Sequence, residues 1–130
     1  MTSRHAVTLA TDTLHNPAEP RHFMALKPIT RRVRVYLGNR LLADSLQALR
    51  LVEVGRSVYQ PMIYIPAADL AVELTALDKT THCPLKGEAS YFALQGEEIA
   101  WGYDRPLDFA QALAGLRAFW PDKVRVVEGE

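Results

Sequence analysis

Cysteine is almost missing: Cys83 is the only one in 130 residues. One thiol cannot close an internal disulfide, and it cannot supply a multi-cysteine zinc site. Net charge is missing too, because fifteen Lys and Arg balance fifteen Asp and Glu. A chain whose main partner is nucleic acid or an anionic membrane normally carries a basic surplus, so neither partner is expected. No apolar run nears the ~20 residues that span a bilayer, and the N-terminus lacks the apolar centre of a secretory signal. A soluble, cytoplasmic protein is the expectation. The chain also has no phosphate-binding glycine loop, no Gly-x-Ser-x-Gly elbow and no His/Cys cluster at ligand spacing. His5, His15 and His22 show no such spacing, so no metal and no cofactor is expected.

What is present is apolar enough to fold. Apolar residues make up 48% of the chain, and its length suits one domain with a single core. Residues 1–30 show no sustained period and contain the turn-rich His15-Asn16-Pro17-Ala18-Glu19-Pro20. They read as an extended N-terminal arm lying on a domain that spans 31–130. Arg21, Lys27, Arg31, Arg32 and Arg34 crowd this region against Glu19 alone. The plain reading is a solvated edge that discourages strand pairing, with anion or partner binding as the alternative.

Val33, Val35 and Leu37 alternate with Arg34 and Tyr36, predicting a half-buried strand. Gly38-Asn39 fits a hairpin loop, with Leu41 to Ala43 as the returning strand. Ala48 to Val54 is ambiguous between helix and strand; as a strand it puts Leu49, Leu51 and Glu53 on one face. Met62 to Ile65 reads as a short strand. Pro66 suits the start of a helical turn over Ala67-Ala68-Asp69, continued for two turns from Leu70 to Leu77. Glu88 to Leu94 and Ile99 to Tyr103 form a second hairpin about Gln95-Gly96-Glu97. Leu107 to Leu116 has helical spacing at Phe109, Leu113 and Leu116. Val124 to Val127 is the last strand, and 128–130 a frayed tail. The expected fold is mainly β, built of antiparallel hairpins with one or two short helices.

The chemistry concentrates around Thr81-His82-Cys83-Pro84-Leu85-Lys86-Gly87 and Trp101-Gly102-Tyr103. A lone thiol is ordinarily a small buried hydrophobe. Cys83, however, sits at a turn, three residues from a lysine that would favour its thiolate if the turn folds back. His82 adjoins it, but neighbours on an extended chain point apart, so His82 reads as a surface residue. Glu53, inward on its strand, must be paired or protonated, and Lys86 is the obvious partner. Trp101 and Tyr103 share a face with Ile99, either as core or as a pocket wall, while Ala100 and Gly102 leave room for close packing behind. Their polar tips need partners when buried, which suits a polar-lined cavity; Tyr64 and Tyr91 add two hydroxyls.

The order of these landmarks, from Leu42-Ala43-Asp44-Ser45 through Ile63-Tyr64-Ile65-Pro66 and Cys83-Pro84-Leu85-Lys86-Gly87 to Ala100-Trp101-Gly102-Tyr103 and Ala118-Phe119, resembles a bacterial family. That family is catalogued as domain of unknown function 427, and also as nucleotidyltransferase-like. The resemblance runs from about Val33 to Val126. The family often has tyrosine where Leu85 stands and serine where Gly102 stands. It implies a compact fold of rolled antiparallel sheets and no established activity. Nucleotidyl transfer ordinarily uses paired metal-binding carboxylates and a phosphate cradle; Asp44, Asp69 and Asp78 are scattered and no cradle is present.

The leading expectation is a domain that binds an unidentified small molecule in a pocket lined by Glu53, Tyr64, Thr81, Cys83, Lys86, Tyr91, Trp101 and Tyr103. Lys86 would anchor an anionic group and the aromatics would enclose an apolar part. One alternative is an enzyme with Cys83 or Lys86 as nucleophile and Glu53 as acid/base. Another is an interaction module, with the basic arm or an open strand edge recruiting a partner or forming a homodimer.

Overall fold

The clearest alternation in the chain, Val33 to Leu37, becomes a strand of a small sheet that covers the back of a much larger one. The computed structural model describes residues 11–129. Its strands, in chain order, are β1 (Thr13–His15), β2 (Phe23–Pro28), β3 (Val33–Leu37), β4 (Arg40–Ser45), β5 (Leu49–Val54) and β6 (Met62–Pro66). They continue with β7 (Thr75–Cys83), β8 (Gly87–Leu94), β9 (Glu97–Pro106), β10 (Leu116–Phe119) and β11 (Arg125–Glu128). Two short 3-10 segments, Ala67–Asp69 and Asp108–Leu113, are the helical elements. All pairings are antiparallel: an eight-stranded sheet in the order β1-β2-β5-β6-β10-β9-β8-β7, and a three-stranded sheet β11-β3-β4. The fold is mainly β, as the hairpin pattern predicts. Among the described residues no helix is long and apolar enough to cross a membrane.

Period-two alternation divides the apolar residues between the two faces of the large sheet. On β6, Ile63 and Ile65 go to one cluster while Met62 and Tyr64 go to the other. The first cluster packs against Val33, Val35, Leu42 and Ala43 of the small sheet. The second holds Met24, Leu51, Leu85, Trp101, Tyr103 and Leu113, on the inside of the roll, where β1 approaches the segment Asp108–Leu113.

Several expectations change. The stretch 1–30, read as an arm, supplies two strands of the large sheet between residues 13 and 28, and Met24 is fully buried; residues 1–10, His5 among them, lie outside the described residues. Short strands bounded by prolines and loops leave no run long enough to show a period. Leu70 to Leu77 is not helical. Leu70, Val72 and Leu74 pack against the first cluster from a segment that bends at Ala71 and Val72, and Thr75 onward belongs to β7. β7 itself is a sheet edge exposed along most of its length, so it has no buried face to mark it.

The helix expected over Leu107 to Leu116 shortens to Asp108–Leu113, stopped before Gly115 at a φ of 76°, and Leu116 opens β10. The tail is shorter as well: Glu128 ends β11 and pairs with Arg50, and the Gly129 amide donates to the Arg32 carbonyl at 2.7 Å. Finally, Ile99 does not share the face of Trp101 and Tyr103. Phe92 pairs with Ala100 but Ala93 with Glu98, so Ile99 is the extra residue of a β-bulge and joins the first cluster.

Candidate functional site

The Cys-Pro-Leu-Lys-Gly segment is the loop of the β7–β8 hairpin. Cys83 pairs with Gly87, and the three residues between them make the turn. Leu85 drives into the second cluster and is 1% exposed, an anchor that contributes about 2 kcal/mol by apolar burial. Gly87 adopts a φ of 112°, and a Cβ there would stand 2.8 Å from the backbone nitrogen of Leu107. That close approach lets the Leu107 amide donate to the Lys86 carbonyl at 3.0 Å. The loop is thereby clamped to the end of β9, with Lys86 directed inward.

Its partner comes from β5. Lys86 Nζ donates to Glu53 Oε1 at 2.5 Å, with side chains 10% and 12% exposed. The other carboxylate oxygen, Oε2, lies 2.8 Å from His22 Nε2. Burial by itself would raise the Glu53 pKa, but the hydrogen bonds and charge from His22 and Lys86 outweigh it and hold the carboxyl below its ordinary value. Glu53 is therefore an ionised acceptor near neutral pH. His22 reaches it because β2 pairs with β5, Phe23 opposite Val54 and Met24 opposite Glu53. Gly55 permits the approach: a Cβ there would stand 3.1 Å from the His22 ring and 3.3 Å from that of Tyr59.

The aromatic wall stands on β6, β8 and β9. Trp101 Nε1 donates to the Tyr64 hydroxyl at 3.2 Å, with the two rings edge to face. Trp120, just beyond β10, lies against Trp101 with ring centroids 4.4 Å apart, and its own indole donates to Glu98 Oε2 at 3.0 Å. The Lys86 ammonium sits 5.7 Å from the Tyr103 ring centroid. Tyr103 is buried, yet its hydroxyl makes no hydrogen bond to another described residue. Burial pushes the Tyr64 and Tyr103 phenols upward, outweighing at Tyr64 the opposing hydrogen bond from Trp101, so both stay protonated and serve as hydrogen-bonding groups.

Together these side chains line an open cavity of about 470 Å³. Glu53, Tyr64, Cys83, Lys86, Tyr91, Trp101 and Tyr103 all reach it. Thr81 does not: it is exposed, and its hydroxyl lies 2.7 Å from that of Tyr91, which it positions. His82 is exposed at the rim. Cys83 is half-buried, and among the described residues no hydrogen bond joins its thiol to His82, Lys86 or Glu53.

His22, Tyr59, Gln60 and Trp120 also line the cavity and were not legible in the sequence. His22 had one available signal, its position just before a short strand that could pair with the Glu53 strand. Trp120 had none. Among the described residues no group of three His, Cys, Asp or Glu side chains is placed to hold a metal ion.

The family model described as "Domain of unknown function (DUF427)" matches residues 25–130. The chain belongs to this family. No curated protein matches it. The match begins within β2, so the DUF427 region contains most of the cavity wall, including Glu53 and the hairpin loop, while His22 precedes it.

Proposed function

We propose that this DUF427 domain binds a small organic molecule in the cavity of the large sheet. The carrying observation is the Tyr103 hydroxyl, unpartnered among the described residues, beside the Glu53–Lys86 pair in a cavity also lined by Tyr64, Tyr91, Trp101 and Trp120. The Tyr103 side chain lines the open cavity and its hydroxyl makes no hydrogen bond to another described residue, so it is free to pair with a ligand's polar group. Lys86 has donors beyond the one given to Glu53, and Glu53 is an acceptor, so the same ligand would find both hydrogen-bonding signs. The flat body would lie against Trp101 and Trp120. Size agrees, since the cavity falls within the range of small-molecule sites.

Both tryptophans of the chain line this cavity, so intrinsic fluorescence reports on it without a label. Titration with a broad panel of metabolites should find a class that changes the emission saturably and raises the melting temperature. A panel that moves neither quantity would count against the reading.

A second reading, an enzyme using Cys83 or Lys86 as nucleophile, draws on the fact that both side chains open on the same cavity as an ionised carboxylate. In that version Glu53 serves as a base rather than an acid.

A further inference from the structure

A second cavity of about 430 Å³ adjoins the first and shares His22, Tyr59 and Pro84 with it. Its character differs. Arg21 and Arg56 line it together with Glu19, and neither arginine has a carboxylate partner among the described residues. Lys79, Lys86 and Arg117 by contrast are paired. Arg31, Arg40 and Arg105 also lack a carboxylate partner among the described residues, but they do not line this cavity. Glu19 is the opposing charge, and its carboxylate already accepts the Arg21 backbone amide at 3.1 Å. Two guanidiniums therefore face one partly engaged carboxylate.

This contrast bears on where an anionic group would sit. Lys86 is a poor anchor, because Glu53 holds it at 2.5 Å and the carboxylate would repel an incoming anion. The outer cavity offers the reverse: uncommitted guanidiniums whose planar donor forks match a carboxylate or phosphate. The loop that carries Arg56 is shaped for this position. It runs from Gly55 to Gln60, closed by the Gly55 amide donating to the Ser57 carbonyl at 2.9 Å and the Tyr59 amide to the Glu53 carbonyl at 3.1 Å. Its fold puts Arg56 in the outer cavity and Tyr59 on the boundary of both.

We infer that the ligand is an elongated organic anion, with its flat end in the aromatic cavity and its carboxylate or phosphate held by Arg21 and Arg56. This inference rests on the reading that the aromatic cavity binds a small molecule. Arg21 and Arg56 set the charge class, and the inner cavity sets the shape.

The test is a matched pair of probes, 4-(4-nitrophenyl)butanoate and its uncharged amide. Their nitroaromatic end quenches tryptophan emission, and their chain gives reach towards the arginines. At low ionic strength the acid should bind about tenfold tighter than the amide. The Arg21→Gln/Arg56→Gln double variant should bring that ratio close to one while leaving amide binding in place. Arg40→Gln removes an exposed charge on β4, and should leave the ratio unchanged. Added salt should shrink the ratio in the wild type. Equal binding of acid and amide by the wild type, or a ratio that survives the double variant, overturns the anionic assignment alone. Failure of both probes to bind overturns it together with the reading of the aromatic cavity. Both arginines are exposed, so an unchanged melting temperature is expected for the double variant.

Discussion

Lys86 Nζ and Glu53 Oε1 lie 2.5 Å apart although 33 positions separate the two residues in the chain. The contact joins the β7–β8 hairpin loop to the β5 strand in the wall of the cavity. Removing one member leaves the other charge poorly solvated. Lys86→Met should destabilise the fold by about 3 kcal/mol, within the range for breaking a buried pair. Glu53→Gln/Lys86→Met should recover part of that loss, a positive coupling in a double-mutant cycle by urea denaturation. Additive single effects would show that the pair contributes nothing beyond its separate members.

The same carboxylate makes stability depend on pH. The Glu53 pKa is lowered on folding from its ordinary value of 4.5. Its contribution is therefore fully present above pH 4.5 and is lost as the pH falls through the lower, folded value. The stability difference between wild type and Glu53→Gln should be constant near neutrality and shrink in acid. A difference that grows below pH 4.5 would contradict the depressed value.

Tyr103→Phe separates binding from folding. The hydroxyl it removes has no partner among the described residues, so stability should change by less than about 1 kcal/mol. Ligand affinity should fall roughly three- to tenfold, the worth of one neutral hydrogen bond. Unaltered affinity for a ligand found by fluorescence would place that hydroxyl outside the contact.

Gly87→Ala tests the clamp on the hairpin loop. Alanine would meet both a left-handed φ of 112° and a backbone atom at 2.8 Å. A loss of roughly 2 kcal/mol or more is expected from the conformation alone. The backbone neighbour cannot swing aside as a side chain would. A variant that melts with the wild type would mean the loop has room to move.

Cys83 offers a check on the catalytic reading. Its thiol is half-buried and has no hydrogen-bonded base among the described residues. A small thiol reagent should label it no faster than a free model thiol at neutral pH, and a bound ligand should slow the reaction. Labelling well above the model rate would favour the alternative, an enzyme with Cys83 as nucleophile, over the binding reading.

Much of the fold was legible wherever one face of a strand met solvent and the other met core. Val33 to Leu37 shows this alternation. β8 and β9 are buried on both faces over much of their length and were marked instead by the Gln95-Gly96-Glu97 turn between two apolar runs; both hairpins stand as expected. Strands without a contrast between a core face and a solvent face carry no such alternation. β7 is exposed along most of its length, and β1 and β2 are short strands separated by a loop containing Pro17 and Pro20. The bulge at Ile99 was invisible because it changes pairing rather than composition. At the site, the Glu53–Lys86 pairing followed from the cost of an unpaired inward charge. His22 did not, since its place depends on a strand pairing that no local pattern encodes.

The large sheet is covered on both sides, and β6 carries Tyr64 towards the cavity between Ile63 and Ile65, which face the three-stranded sheet. The cavity wall is thus one strand thick. A change of a single methylene at Ile65 or Phe119 is felt in packed surroundings, and its relief is a small shift of Tyr64 or Trp101 on the far side. Under the proposed binding function, ligand preference would therefore drift through substitutions behind the wall, with every cavity-lining side chain left as it is. Two family members with identical cavity linings would then differ in cavity shape through residues that never reach the cavity.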